Sequence, residues 1–184
     1  IVHLYNNDQP TFDAWYAYCP PNYPARDMIT GLAKTSKSST AWAREVIANY
    51  QSPETTYTIS ASGEKLSEWY KEVEKMAPAV IDYDESGQII VPEILNYHFS
   101  KFSGGALLMI SIQQPSPEAC DLHKRAAVVF DLAYTRFLDL KNAEAQAKEA
   151  IKQAALDRIR ADIASMRTVA DLDKITPLIW NELN

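Results

Sequence analysis

Ile94-Leu95-Asn96-Tyr97-His98-Phe99-Ser100-Lys101-Phe102-Ser103-Gly104-Gly105-Ala106-Leu107-Leu108-Met109-Ile110-Ser111-Ile112 carries two strand-like runs around a pair of glycines. Residues 95 to 100 alternate apolar with polar side chains, and 106 to 112 are almost wholly apolar. Ser103-Gly104-Gly105 between them has the composition of a tight turn, so the stretch predicts a β-hairpin. Just beyond it comes Ser116-Pro117-Glu118, which carries three start signals for a helix: a capping hydroxyl, Pro at the first helical position and an acid in the first turn. No Gly or Pro interrupts the 59 positions from Glu118 to Thr176. Repeated tight turns need positive or preset φ, so sheet must precede this point and one long helix must follow it.

Working outward from the hairpin, all five Gly and nine of the ten Pro lie at or before Pro117. The 184 residues therefore suit one compact domain plus an appendage better than two full domains. Ile1 to Tyr5 and Thr11 to Tyr18 flank the turn-forming run Asn6 to Pro10 and predict a second hairpin. Cys19-Pro20-Pro21-Asn22-Tyr23-Pro24 ends that sheet segment, because Pro supplies no ladder donor. Thr35 to Thr40 is a polar stretch whose last residue caps a short helix with Trp42, Val46 and Tyr50 along one face. Thr55 to Ser62 alternates as a strand. From Gly63 to Met76, Leu66, Trp69, Tyr70, Val73 and Met76 recur at helical spacing until Pro78 stops the pattern. Asp82 to Gly87 is an exposed acidic loop. The expected order is strand, strand, helix, strand, helix, strand, strand and long helix: an α+β fold with an antiparallel sheet flanked by helices.

Charge excludes one class of partner. Residues 1 to 117 carry 8 bases and 13 acids, whereas a phosphate-backbone binder presents a clustered basic face. No nucleic-acid partner is expected. The longest clean apolar run, Ala106 to Ile110, is far short of the roughly 20 residues of a membrane helix, so no membrane contact is expected from this segment. Cys19 and Cys120 stand in unlike contexts and read as reduced thiols in a cytoplasmic protein.

The long helix changes character along its length. Leu122, Ala126, Val129, Phe130, Ala133, Tyr134 and Phe137 form a broad apolar face suited to a sheet. Beyond Leu140 the apolar stripe narrows to Ala143, Ala147, Ile151, Ala155, Ile159, Ile163, Met166 and Ala170. From Leu140 to Ala170 there are 30 residues in eight steps, or 3.75 per step, which is nearer an eleven-residue repeat than a strict heptad. A narrow stripe of this kind predicts a parallel homodimer, with Leu140, Ala147, Ile151, Ile159, Ile163 and Met166 in the interface.

Phe130-Asp131-Leu132-Ala133-Tyr134-Thr135-Arg136-Phe137-Leu138-Asp139-Leu140, continuing to Ser165-Met166, resembles the junction that follows GAF-type sensor domains in bacterial multidomain signalling proteins, often histidine kinases. Asn96 to Ser111 is similar to the penultimate hairpin of those domains in order and character. The resemblance implies a GAF-like sensor domain over 1–139, short of the family's first helix and strand. It implies a signalling-helix connector over 140–170, and over 171–184 the start of a following domain or a terminal helix. It further implies a regulatory, non-catalytic module that hands a conformational change to a downstream output domain in the same chain. The alternative is a structural dimerisation or spacer module that binds nothing small.

The chemistry of individual residues fits a module without catalysis. GxxxxGK[ST], GxGxxG, HExxH, GxSxG and paired CxxC are all missing. His123 lacks the acidic neighbour of a phosphoacceptor and reads as a solvated helix residue. Asp82, Asp84 and Glu85 lack the Gly-centred frame of a calcium loop; no metal or catalytic residue is assigned, and no cofactor is named. A GAF-like fold keeps its ligand between the sheet and the helices on one face, which implies Trp15, Trp69, Tyr97 and His98, with Cys19 beside them, as pocket residues.

Overall fold

The computed structural model describes residues 1–6, 8–18, 28–165, 177 and 180. The chain divides into two units, Ile1–Tyr134 and Thr135–Asn184. The first is α+β. Its strands are β1 (Val2–Tyr5), β2 (Thr11–Tyr18), β3 (Ile29–Ser36), β4 (Thr56–Ser62), β5 (Ile94–Phe102) and β6 (Gly105–Ser111). They form one six-stranded sheet in the order β3-β2-β1-β6-β5-β4, with antiparallel pairing throughout. Helices α1 (Ala41–Gln51) and α2 (Gly63–Met76) connect β3 to β4 and follow β4, and α3 (Pro117–Ser165) follows β6.

The decisive hairpin forms as expected, but its glycines serve a different purpose. Neither Gly104 nor Gly105 takes positive φ. A Cβ on Gly104 would run into the ring of Tyr134 on α3, and one on Gly105 would run into the backbone carbonyl of His3 on β1. The missing side chains buy close approach of α3 and β1 to the turn. That approach is what lets β1, the first strand, sit beside β6, the last.

One strand escaped the sequence reading. Ile29–Ser36 pairs with β2 from Thr11↔Ser36 to Tyr18↔Ile29, where a polar stretch was expected from Thr35. Its inward positions include Gly31, Ala33 and Thr35, too small or polar to produce an apolar alternation, although Ala33 and Thr35 are both buried. Thr35 donates its hydroxyl to Met76 Sδ at 3.3 Å. The helices follow expectation: Thr40 caps α1 by accepting the Ala43 N–H at 3.1 Å, and α2 buries Leu66 and Trp69. After α2, Pro78–Val80 form a single 3₁₀ turn.

The core lies on the inner face of the sheet, under α1 and α2. Phe12, Trp42, Val46, Ile59, Leu66 and Phe99 are almost completely enclosed. The outer face is different in kind. There β5 presents Asn96, His98 and Ser100, all buried, and the first turns of α3 cover them. Ser116 caps this helix, its hydroxyl accepting the Ala119 N–H at 3.2 Å. Ala127 is buried, Phe130 and Tyr134 pack edge-on against Phe102 at 4.9 and 5.5 Å, and Asp131 accepts both the N–H and the hydroxyl of Ser103. The expected broad apolar contact is narrower: Leu122 and Val129 are exposed, because Cys120, His123, Ala127, Phe130 and Tyr134 occupy the sheet-facing side at three- and four-residue steps.

In the second unit, α3 continues as a helix to Ser165. Leu140, Ala147, Ile151 and Ile163 of the expected interface are exposed and Ile159 is partly buried. Met166, like most of the segment 171–184 expected to begin a following domain, lies outside the described residues. Arg160 pairs with Asp157 at 3.0 Å. Among the described residues, no helix is long and apolar enough to cross a membrane.

Candidate functional site

Strand register explains why the inner face is not filled. One row across the sheet reads Ala33, Ala14, His3 and Ala106 on four successive strands. Three methyl groups leave a shallow floor where larger side chains would close it. At the sheet edge, Gly31 makes room for the Tyr16 ring, since a Cβ there would collide with it. Above this floor stands a cavity of about 530 Å³. Ala14, Ala33, Leu108 and Ile110 line it from the sheet, Trp69, Tyr70, Val73 and Met76 from α2, and Val80, Ile81, Asp82, Ile90 and Pro92 from the segment after α2. Its size and mostly apolar lining fall within the range of small-molecule sites.

An aromatic stack holds one wall. Trp42 and Trp69 lie face to face, 3.9 Å apart and 22° from parallel, and Tyr97 meets Trp42 edge-on at 5.0 Å. Trp42 is wholly buried, and its indole N–H has no hydrogen-bond partner among the described residues. His3, in the floor, shares a hydrogen bond with the Tyr5 hydroxyl at 3.0 Å. Burial pushes its pKa down to about 3, so it is a neutral ring at physiological pH. Asp82 carries the only charged side chain among the described lining residues, and the Ile1 ammonium, also in the lining, donates to the Leu108 carbonyl at 3.0 Å. Asp82 is exposed, as expected for the acidic loop that follows, in which Asp84 accepts hydrogen bonds from Ser86 and Gln88.

Of the four residues assigned to a pocket, Trp69 and Tyr97 line this cavity. Trp15 does not: Phe12, Ala14 and Tyr16 take the inner positions of β2, so Trp15 projects from the other face and is 52% exposed. His98 does not either. It alternates with Tyr97 on β5 and belongs to the outer face under α3. Cys19 lies outside the described residues. The floor residues His3, Ala14, Ala33 and Thr35 went unrecognised; the local signal for part of this floor is the run of small side chains Gly31, Ala33 and Thr35 at alternate positions of β3.

The outer face holds a second polar group of residues. His98 Nδ1 lies 2.8 Å from Thr58 Oγ1 and 3.9 Å from Cys120 Sγ. His98 Nε2 is buried without a partner among the described residues. His123, expected to be solvated, instead turns inward. Its Nδ1 is 2.7 Å from Ser100 Oγ, and its ring meets that of His98 edge-on at 5.3 Å. Burial, then the adjacent His98, push the His123 pKa down to about 4, and burial lowers that of His98. Two neutral imidazoles thus join β5 to α3. Alongside them, Asn96 accepts from Ser60 and Gln114, each at 2.8 Å. Among the described residues, no group of three or more His, Cys, Asp or Glu is placed to hold a metal ion.

Comparison of the chain with family models, curated proteins and solved structures returned no significant match.

Proposed function

We propose that this chain is a non-catalytic regulatory module of a bacterial multidomain signalling protein. In this reading a GAF-like domain binds a small molecule on its inner face. The long helix then pairs in parallel with its copy and passes the change to a downstream output domain in the cytoplasm. The observation that carries the proposal is the cavity of about 530 Å³ between the sheet and α2. A spacer that binds nothing gains nothing from such a space, because an unfilled apolar cavity forfeits dispersion contacts. The resemblance of residues 130–166 to the junction that follows sensor domains, and of 96–111 to their penultimate hairpin, supports the same reading. So does the exposure of Leu140, Ile151 and Ile163 in the single chain, since exposed apolar side chains at recurrent helical spacing suit a partner helix.

A ligand acts as a switch only if it binds two packings of the helix pair with different affinity. Two measurements test the proposal together. Thermal melting against a library of uncharged and charged small molecules should find compounds that raise Tm in the wild type by more than in Ile110→Trp, which narrows the cavity. Sedimentation should find a dimer at tens of micromolar, and Ile151→Glu with Ile163→Glu a monomer. No stabilising compound, or equal stabilisation of Ile110→Trp, would remove the sensing role; a monomeric wild type would remove the relay.

A further inference from the structure

Resting on the reading of the inner-face cavity as a ligand site, its walls and rim narrow the chemistry of what fits. A carboxylate or phosphate needs an Arg, a Lys or a helix N-terminus to replace its hydration. None of the described lining residues is Lys or Arg, and the floor His3 is a neutral ring already engaged with Tyr5. Anions therefore enter at a desolvation cost that no side chain of the cavity offsets, and the Ile1 ammonium, which also lines it, is already engaged by the Leu108 carbonyl at 3.0 Å. The rim has the opposite sign. Asp82 stands there, and the segment from Ile81 to Glu93 adds Asp84, Glu85 and Glu93 with no base among them. A low-dielectric cleft under such a rim focuses a negative potential at its mouth. The side walls carry Trp69, Tyr70 and Tyr16, whose ring faces attract cations and accept flat apolar bodies.

We propose that the cavity takes an apolar amine: an aromatic or branched aliphatic body against Trp69, Tyr70 and Ile110, with a protonated nitrogen directed to the Asp82 rim. The body supplies affinity through buried apolar area. The ammonium supplies selection, since it keeps partial contact with water at the exposed rim while gaining the carboxylate.

Three probes that share one ring system and differ in charge provide the test: tryptamine (cation), 3-methylindole (neutral) and indole-3-propionate (anion). Binding is read by calorimetry on the intact chain. Tryptamine should bind about five- to tenfold more tightly than 3-methylindole and at least about tenfold more tightly than indole-3-propionate, as expected for one unit charge near a partly hydrated carboxylate. Raising the salt concentration should shrink both ratios. Asp82→Asn, at an exposed loop position, should reduce the ratio of tryptamine to 3-methylindole at least twofold. Ile110→Trp should weaken binding of all three, with Val73→Phe as the second narrowing variant should the first fold poorly. Equal or tighter binding of the anion, or an undiminished preference for tryptamine in Asp82→Asn, would overturn the amine assignment while leaving the cavity a ligand site. Failure of all three probes to bind at millimolar concentration would overturn the underlying site reading as well.

Discussion

Replacing His123 with Gln should flatten the pH dependence of the domain's stability, and the size of the effect can be worked from the seam under α3. In the folded chain the His123 imidazole bonds to Ser100 at 2.7 Å and abuts His98 at 5.3 Å. The salt bridges formed by the described residues leave both imidazoles without a carboxylate partner. Its folded pKa is pushed down to about 4 against an unfolded value of about 6.5. The folded state therefore favours the neutral ring, and the unfolded chain binds the proton more readily. Stability linked to this group is fully present above about pH 6.5 and is lost as pH falls from there towards 4. Full linkage gives about 2 kcal/mol lost between pH 7.5 and pH 5. His123 is only half-buried, and solvent screening reduces that to about 1 kcal/mol. Urea melts read through the buried Trp42 and Trp69 at both pH values give the quantity as a double difference between wild type and His123→Gln. This cancels the contribution of His3, whose pKa is pushed down to about 3 and which titrates with the same sign. Identical pH dependence in the two proteins would refute the seam as a dry contact between neutral imidazoles.

The remaining predictions concern packing. Phe99→Ala, at a fully enclosed position, should lower stability by about 3–5 kcal/mol in urea melts. Gly105→Ala should cost about 1–3 kcal/mol, because its Cβ meets the rigid His3 carbonyl and one of two paired strands must move. Thr40→Ala should cost about 1 kcal/mol through loss of the cap on Ala43. Trp15→Ala should change stability by less than about 0.5 kcal/mol, since that ring is on the outer face and half-exposed.

Much of this architecture could be read from particular residues. The start of α3 at Ser116-Pro117-Glu118, the cap at Thr40 and the apolar face of α2 each rest on local chemistry that a single sequence displays. The outer seam and β3 were hidden for physical reasons. A strand lined by Gly31, Ala33 and Thr35 buries little apolar surface, so its pattern is mute although its ladder with β2 is complete. His98 and Trp15 were misplaced because alternation along a strand tells which residues share a face but not which face meets α2. That choice depends on α3 covering the outer side of β5, a long-range contact. Trp69 stands on the apolar face of α2, and Tyr97 shares its face of β5 with Leu95 and Phe99. The small-residue floor that creates the cavity is visible only when Ala33, Ala14, His3 and Ala106 are brought into one row by pairing across four strands.

Amide chemical shifts of the isotopically labelled chain, recorded while 3-methylindole is added, distinguish a ligand site in the inner-face cavity from a packing flaw. A ligand site gives saturable shifts at Ala33, Trp69, Val73 and Ile110, with Trp15 and His98 on the outer face unmoved. Shifts confined to the outer face, or none at millimolar probe, would contradict it.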